Sequence, residues 1–292
     1  MTFKNFTDDD YEALCDFLIE LNANDTSHIN WNWARLEWMY EHPEFDKESK
    51  NSIGLWIDEG RVVGAAIYDM YFGEGFSGVL PQYKELYPEV VAYCESNLKD
   101  DSGFSMAVCD DNSEEIEMLI KKGFVPIDQS ENIMELDLEK NFDVALPKGL
   151  SFANVDPVRD IYKLSWLFWQ GFDHGEDKAE FEKEEIFTPG MRKHFNQDLL
   201  VAACDNEGNL VSICGLWYSE KTDYAYVEPV CTIPSYRGKG VAKAVIHEAL
   251  NRVKNFGAKR AFVISDMPFY AGLGFENRYH YTFYKKNAEN VE

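Results

Sequence analysis

A basic turn, RGKGVA at residues 237–242, is the clearest candidate for chemistry in the sequence. Its glycines, Gly238 and Gly240, allow successive backbone N–H groups to point into a concavity at the start of a helix, where the helix dipole favours an anion. Arg237 and Lys239 add positive charge at the rim. The spacing fits neither the Walker loop nor the dinucleotide-binding glycine pattern. From the residues alone, the turn is either a phosphate cradle or a plain connection between a strand and a helix.

Glu228 is a second candidate, because it lies within the apolar strand YAYVEPVCTI at residues 224–233. Strand alternation predicts that Glu228 shares a face with Val230 and Thr232. A carboxylate among apolar residues needs a partner or a task, so a structural ion pair and a catalytic role both remain open. Pro229 predicts either a break in the strand or a simple edge strand, since proline cannot donate to a sheet ladder.

The turn must be positioned by that strand and by a helix that follows it. The segment VAKAVIHEALNRVKNF, residues 241–256, has apolar residues at positions 241, 245, 249, 253 and 256, which form one helical face. Gly257 is placed to end this helix. A strand, RAFVIS, and a closing segment that ends in Gly274 and Phe275 come next.

The chain also contains a repeat. Two predicted hairpins, at residues 52–68 and 199–218, turn at Gly60 and Gly208, which are 148 residues apart. Two Gly-Phe pairs, which begin at positions 123 and 274, are 151 residues apart. The two offsets predict a doubled unit of about 150 residues, an ordinary domain size.

Each unit reads as helix, hairpin, strand, helix, strand, short helix and strand. This order predicts an α/β (α+β) fold with two domains, each a mixed, mostly antiparallel twisted sheet flanked by helices. We place the first domain at residues 1–140 and the second at 141–292, with a linker within 139–150.

The second half resembles the GNAT acetyltransferase superfamily. The resemblance rests on the strand that ends in VCTIP, the sequence SYRGKGVA with its Arg-x-x-Gly-x-Ala spacing, the long helix, and the closing pattern that contains Phe269, Tyr270, Gly274 and Phe275. It is specific for about residues 150–292 and only architectural over the first 140. The family implies acetyl-CoA as co-substrate and a second domain that is catalytic.

The resemblance implies where acetyl-CoA binds. The backbone of the turn would wrap the CoA pyrophosphate, and the strand before the turn would splay from its neighbour to receive the pantetheine arm and the thioester. The residues implied in this binding are Val230, Cys231, Thr232, Ile233, Arg237, Gly238, Lys239, Gly240, Val241 and Ala242.

The resemblance also implies two catalytic residues. Glu228 would be the general base, directly or through water, and Tyr270 would protonate the departing thiolate; the alternative for Tyr270 is an aromatic plug over the core. The family often places an Asn at the end of the preceding strand, where this chain has Val263, and Ser265 or Asp266 could replace its polar contact. Cys231 lies on the strand that would face the thioester, so a covalent acyl-cysteine route ranks behind direct transfer.

The first half lacks the turn. Its corresponding region, residues 78–93, reads GVLPQYKELYPEVVAY without Arg-x-x-Gly-x-Ala, and the position that matches Tyr270 is Leu119. This half is therefore expected to keep the fold without the cofactor site. The aromatic runs near Trp31 and Trp166 are expected to pack in cores or between domains, with an acceptor pocket as the alternative.

Charge and cysteine usage narrow the class of protein. The net charge is −24, with 17 Lys and Arg against 42 Asp and Glu in residues 1–200, and 11 against 10 in residues 201–292. This acidity disfavours nucleic acid and favours a cationic acceptor. Six scattered cysteines and six histidines without a ligand spacing predict no disulfide and no metal. No long apolar run or signal-like start occurs, so we expect a cytoplasmic protein that does not bind membranes.

The function expected from these observations is an acetyl-CoA-dependent N-acetyltransferase. Its acceptor would be a small-molecule amine or a peptide amine, and the acidic charge of the protein favours a cationic one. The alternative is an acyl-CoA-binding sensor or interaction protein without turnover.

Overall fold

The computed structural model describes residues 1–42, 44–183 and 194–288. The chain forms two compact units. The first comprises Met1–Tyr40, Glu44–Ile133 and Asn277–Glu292, and the second comprises Glu41–Pro43 and Met134–Glu276.

The first half of the chain follows the predicted order of elements, with a short strand before the first helix and a further helix before the hairpin. The elements are β1 (Thr2–Asn5), α1 (Tyr11–Leu21), α2 (Trp33–Glu41), β2 (Gly54–Asp58), β3 (Arg61–Asp69), β4 (Tyr71–Val79), α3 (Tyr87–Asn97), β5 (Gly103–Cys109), α4 (Ser113–Lys121) and β6 (Val125–Asp137).

The second half repeats this order. Its elements are β7 (Ser151–Ala153), α5 (Ile161–Gly171), α6 (Lys178–Phe181), β8 (Leu200–Cys204), β9 (Leu210–Tyr218), β10 (Tyr224–Thr232), α7 (Val241–Phe256), β11 (Arg260–Ile264), α8 (Pro268–Ala271) and β12 (Glu276–Asn287).

Both units contain the predicted mixed, mostly antiparallel sheet. In the first unit the strand order is β1-β2-β3-β4-β5-β12, and only β4 and β5 run parallel. In the second unit the order β11-β10-β9-β8-β7 has its parallel pair at β10 and β11. Helices α1 and α3 contact the first sheet, and α5 and α7 contact the second.

The glycines that revealed the repeat recur for a conformational reason. Gly60 and Gly208 both turn their hairpins with left-handed backbones, at φ 79° and 81°. Gly123 and Gly274 end the corresponding short helices at φ 89° and 98°. All four positions require a conformation that side chains other than glycine disfavour, which explains why the glycines recur at similar offsets.

The division between the units falls inside β6, close to the predicted boundary at residue 140. The C-terminal residues differ from the prediction, which placed them in domain 141–292. They belong to the first unit because β12 pairs antiparallel with β5, from Tyr281 opposite Cys109 to Asn287 opposite Gly103. The sequence shows β12 as a strand but not its partner.

Helix α7 confirms the predicted apolar face and its end. Val245, Ala249 and Val253 are fully buried, and Gly257 caps the helix at φ 118°. Phe256 is an exception to the predicted face, because it is 44% exposed. Among the described residues, no helix has the length and apolar character that crossing a bilayer requires.

Candidate active site

A groove opens where β10 and β11 diverge. These parallel strands are paired only from Tyr224 to Tyr226, opposite Arg260 to Phe262, although β10 continues to Thr232. The groove, of about 790 Å3, lies in the second unit between the end of β10, the start of α7 and helix α8. It is lined by nine of the residues predicted from the sequence, namely Val230, Cys231, Thr232, Arg237, Gly238, Gly240, Val241, Ala242 and Tyr270.

The glycine turn forms one end of the groove. Gly238 and Gly240 adopt left-handed backbones, at φ 71° and 83°, and a Cβ atom on either would meet no atom within 4 Å. Gly240 is the N-cap of α7, so no side chain caps the helix, and its first turn carries no acidic residue. The backbone N–H groups of this turn of helix can therefore receive an anion. The arrangement fits the diphosphate of CoA.

The Arg237 side chain is partly exposed, but its guanidinium is held by protein partners instead of lying free at the rim. Its Nε donates to the Thr232 carbonyl at 2.9 Å and its Nη2 to the Gly171 carbonyl at 2.8 Å, while Nη1 forms an ion pair with Asp173 at 2.9 Å. The guanidinium thus joins the end of β10 to the end of α5. These contacts tie the turn to the backbone beside it.

Two predicted residues lie beside the groove lining. Ile233 is buried in the core of the second unit, just before the turn. Lys239 donates to the Ser235 carbonyl at 2.7 Å and lies over the Tyr236 ring. Lys239 instead lines an adjoining hollow that also contains Lys148.

Strand β10 has a bulge at the predicted break. Its register with β9 shifts between Val227 and Val230, across Glu228 and Pro229. Gly215 on β9 permits this shape, because a Cβ atom there would lie 2.7 Å from the Glu228 carbonyl oxygen. The bulge interrupts the alternation from which a shared face of Glu228 and Val230 was inferred. The half-buried Glu228 is two residues before the groove lining begins, and its catalytic role stays a prediction.

Cys231 has the environment of an inert thiol. It is 5% exposed and packs against Gly171, where a Cβ atom would lie 2.6 Å from the Cys231 sulfur. Burial raises the pKa of the thiol to about 12; the Arg237 charge acts in the opposite direction, and the Glu228 charge adds to the rise. Because thiolate is the nucleophilic form, this environment disfavours the acyl-cysteine route. All six cysteines are free thiols.

Tyr270 lies in α8 and is 8% exposed. Its ring makes edge contacts with Phe269 and Phe275, at centroid distances of 5.2 and 5.6 Å. Burial raises the pKa of the hydroxyl above its ordinary value, and the Cys214 and Glu228 charges act in the same direction. A protonated hydroxyl that lines the groove is available as a proton donor.

Val263 stands where the family often has an Asn, and the segment between Val263 and Tyr270 supplies part of the missing polar contact. Val263 is 3% exposed and belongs to the core. Ser265 accepts a hydrogen bond from the Met267 backbone N–H at 3.1 Å, and so fixes the start of α8. The Ser265 hydroxyl therefore positions the Tyr270 helix.

The first unit differs from the second at the position that corresponds to Tyr270 and at the position that corresponds to the glycine turn. The Phe124 N–H donates to the Leu119 carbonyl as the Phe275 N–H donates to that of Tyr270, so Leu119 occupies the position of the tyrosine. Residues 81–86 form a short 3-10 helix that leads directly into α3. Between the end of β4 and the end of α3, residues 80–97, the sequence contains no glycine. The predicted loss of the anion-binding turn is consistent with this geometry.

Sequence reasoning missed the wall that α5 contributes. Gly171, Phe172 and Asp173 all line the groove, and Phe172 is 45% exposed. The available signals were the glycine that ends an aromatic helix and, in β9, Gly215 inside an apolar strand. Phe172 belongs to the aromatic run for which core packing was expected; the other members, Trp166, Phe168 and Trp169, lie among the side chains of the second unit.

Comparison with known proteins identifies a family for the second half of the chain. Residues 158–275 match the model of the Acetyltransferase (GNAT) family. The comparison with curated proteins found no match. The fold resembles several solved structures at low sequence identity.

Three of these structures cover nearly the whole chain. A tandem GNAT protein from the clavulanic acid biosynthesis pathway is 14% identical, with TM-score 0.63, and the alignment covers 100% of this chain and 99% of that one. A GCN5-related N-acetyltransferase from Sphaerobacter thermophilus is 14% identical, with TM-score 0.59 and coverage of 98% and 95%. An acetyltransferase from Colwellia psychrerythraea is 10% identical, with TM-score 0.55 and coverage of 99% and 100%.

At these identities, the structures establish the fold alone, whereas the family match covers the groove, the turn and Tyr270. Residues 158–275 therefore belong to a GNAT acetyltransferase domain, and the GNAT family transfers acyl groups from acyl-CoA.

Proposed function

We propose that this protein transfers an acetyl group from acetyl-CoA to a primary amine by direct attack of the amine on the thioester. The observation that carries the proposal is the groove between β10 and β11. It extends from the start of α7, where no side chain caps the helix, to the buried Tyr270. One end suits a diphosphate and the other suits a departing thiolate.

The diphosphate would bind at the start of α7. The N–H groups of Lys239, Val241 and Ala242 would donate to its oxygens, with Gly238 and Gly240 providing the left-handed backbone. The pantetheine arm would lie along the edge of β10 that β11 leaves unpaired, at Val230 to Ile233. Because a sheet edge offers amide donors and acceptors, it can bind an extended amide-containing chain.

The transfer forms a bond between the acceptor nitrogen and the acetyl carbonyl carbon and breaks the bond between that carbon and the CoA sulfur. Glu228, or a water that it holds, would take a proton from the amine. Backbone N–H groups of β10 would polarise the carbonyl, and Tyr270 would give its proton to the sulfur. These steps leave an amide, free CoA, a protonated Glu228 and a deprotonated Tyr270, and one proton passed from Glu228 to Tyr270 through solvent restores the enzyme.

The acceptor would be a small-molecule amine or a peptide amine. The net charge of −24 favours a cationic acceptor and disfavours nucleic acid as a partner. Phe172 and Asp173, exposed on the α5 side of the groove, offer an apolar and an acidic surface near its mouth. A cytoplasmic location is part of the same proposal, since acetyl-CoA is a cytoplasmic metabolite.

The test is release of CoA thiol from acetyl-CoA across a panel of primary amines, with mass spectrometry of the products. We expect at least one amine to be acetylated, and Glu228→Gln and Tyr270→Phe to lower kcat/KM without abolishing acetyl-CoA binding. If acetyl-CoA bound tightly and no amine in a broad panel were acetylated, the protein would be an acyl-CoA sensor instead. Unchanged kcat/KM in both variants would remove their catalytic roles.

A further inference from the structure

The first unit contains a groove of its own, of about 720 Å3. It lies between the end of β4, the start of α3 and helix α4, which correspond to β10, α7 and α8 in the repeat. Strands β4 and β5 are paired only at Glu74 and Gly75, so they also diverge. The first unit therefore keeps an opening at the position where the second unit has its acyl-CoA groove.

The chemistry of this opening is opposite to that of an anion site. Pro88 lies near the start of α3 and removes a backbone N–H there. The charged residues of the lining are four carboxylates, one lysine and one histidine, namely Asp25, Glu85, Glu114, Glu115, Lys84 and His28. Lys84 is itself within 3.4 Å of Glu114. We refer to this opening as the acidic groove.

Glu115 is the carboxylate at the inner end of the acidic groove. Its side chain is 17% exposed, and its two oxygens contact His28 Nε2 at 3.0 Å and the Tyr87 hydroxyl at 3.2 Å. Burial acts to lower the pKa of His28, but the Glu115 charge, the Glu115 hydrogen bond and the Asp25 charge together outweigh it, so the pKa lies above its ordinary value. Each carboxylate oxygen can accept two hydrogen bonds, so Glu115 retains capacity for a further donor.

A buried hydroxyl points to a ligand at the same place. Tyr281 is 1% exposed, and its hydroxyl lies near the Asn30 backbone but makes no hydrogen bond of ordinary geometry among the described residues. It lines a small cavity of about 10 Å3, and His28, Tyr87 and Glu115 line both this cavity and the acidic groove. The cavity is the size of one water molecule or one ammonium group. Buried polar groups in native proteins are normally satisfied, so this hydroxyl needs an explanation.

We propose that the acidic groove binds an aliphatic diamine or polyamine. One ammonium group would donate to Glu115 and to the Tyr281 hydroxyl at the inner end. The methylene chain would lie against Leu21, Val79 and Met118, which supply apolar surface in the lining. The second ammonium group would lie at the exposed mouth, where Asp25 and Glu85 are found.

This binding is separate from the acetyl transfer proposed for the second unit. Its residues lie in the first unit, and none of them lines the groove that holds Tyr270. A protein that fails to acetylate any amine could still bind a diamine here. The two proposals can therefore fail independently.

The experiment is calorimetric titration of the full chain with 1,5-diaminopentane at low salt, with 1,5-pentanediol as the neutral analogue. We expect the diamine to bind and the diol not to bind. Glu115→Gln should weaken the diamine about tenfold or more, since it removes the charge and keeps the shape. Glu117→Gln on the same helix is the matched control, because Glu117 is 71% exposed and pairs with Lys121 outside the groove.

Tyr281→Phe gives a second readout, because it should not lower the Tm of the ligand-free protein but should lower the Tm increase caused by the diamine. Removing a buried hydroxyl that makes no hydrogen bond of ordinary geometry should leave Tm of the ligand-free protein unchanged or higher, whereas it should reduce the Tm increase that the diamine causes. This variant tests the proposal even if Glu115→Gln does not fold. Acetyl-CoA binding, measured in each preparation, checks that the second unit is intact.

Two results would overturn the proposal. One is the absence of diamine binding to the unaltered chain. The other is binding that Glu115→Gln and Tyr281→Phe both leave unchanged, which would place the diamine elsewhere, including the acceptor side of the second unit.

Discussion

The Arg237 guanidinium lies 2.9 Å from the Asp173 carboxylate, and this contact joins the glycine turn at one end of the groove in the second unit to the end of helix α5. The pair is exposed, with 44% of the arginine side chain and 65% of the aspartate side chain accessible. The same guanidinium also donates to the Gly171 and Thr232 carbonyls. The two kinds of contact should differ in strength.

Arg237→Ala should raise KM for acetyl-CoA roughly tenfold or more, because both carbonyl contacts are lost and the turn loses its anchor. Asp173→Asn should change it by less than about threefold, since an exposed ion pair contributes little. Steady-state kinetics at fixed acceptor concentration measures both effects. Lys239→Ala is the control for charge alone, and an equal effect of Lys239→Ala and Arg237→Ala would contradict the anchoring role.

Gly240→Ala should impair acetyl-CoA binding beyond its cost in stability. The left-handed backbone makes alanine unfavourable by about 1 kcal/mol, although the added Cβ atom meets no neighbour. Gly208→Ala is a matched control, with φ 81° and equally open surroundings in a hairpin far along the chain. Both variants should lose similar stability in a denaturant titration. Only Gly240→Ala should weaken binding, and equal affinities in the two variants would contradict the cradle.

Tyr270→Phe should lower kcat by about 100-fold or more, the usual contribution of a general acid. The ring contacts with Phe269 and Phe275 are retained, so stability should change little. Because the pKa of the hydroxyl is raised, the protonated form persists above the ordinary tyrosine value of about 10. Loss of Tyr270 protonation should therefore not cause a fall in kcat between pH 7 and 10. A pH profile with such a fall, absent in Tyr270→Phe, would contradict this environment.

Cys231→Ala should retain most of the kcat, since the buried thiol is protonated near neutral pH. Iodoacetamide at pH 7.5 should label Cys204, which is partly exposed, well before Cys231. Peptide mapping after brief labelling distinguishes the two sites. An acetylated Cys231 trapped by mass spectrometry would instead establish the covalent route.

The turn, the repeat and the mostly antiparallel sheets could be predicted from the sequence because each depends on local rules. Gly238 and Gly240 mark a left-handed backbone, and the face of α7 repeats every three to four residues. The Gly-Phe pairs end short helices in both halves for the same conformational reason.

Contacts between residues that are distant in the sequence could not be predicted from these local rules. The Arg237 side chain was assigned to the rim because nothing in the sequence shows that Gly171 and Asp173 lie beside it. The bulge at Glu228 depends on Gly215 of the neighbouring strand, which leaves room for the Glu228 carbonyl. Such effects are set by tertiary packing, which overrides a simple strand alternation.

Strand β12 has a consequence for the order in which the protein can fold during synthesis. Its residues from Asn277 onward complete the sheet of the first unit by pairing with β5, yet they are translated after the second unit. Until then, β5 presents an open edge, and an open edge is prone to pair with other chains. The sheet of the first unit is thus completed only after the second unit has been translated.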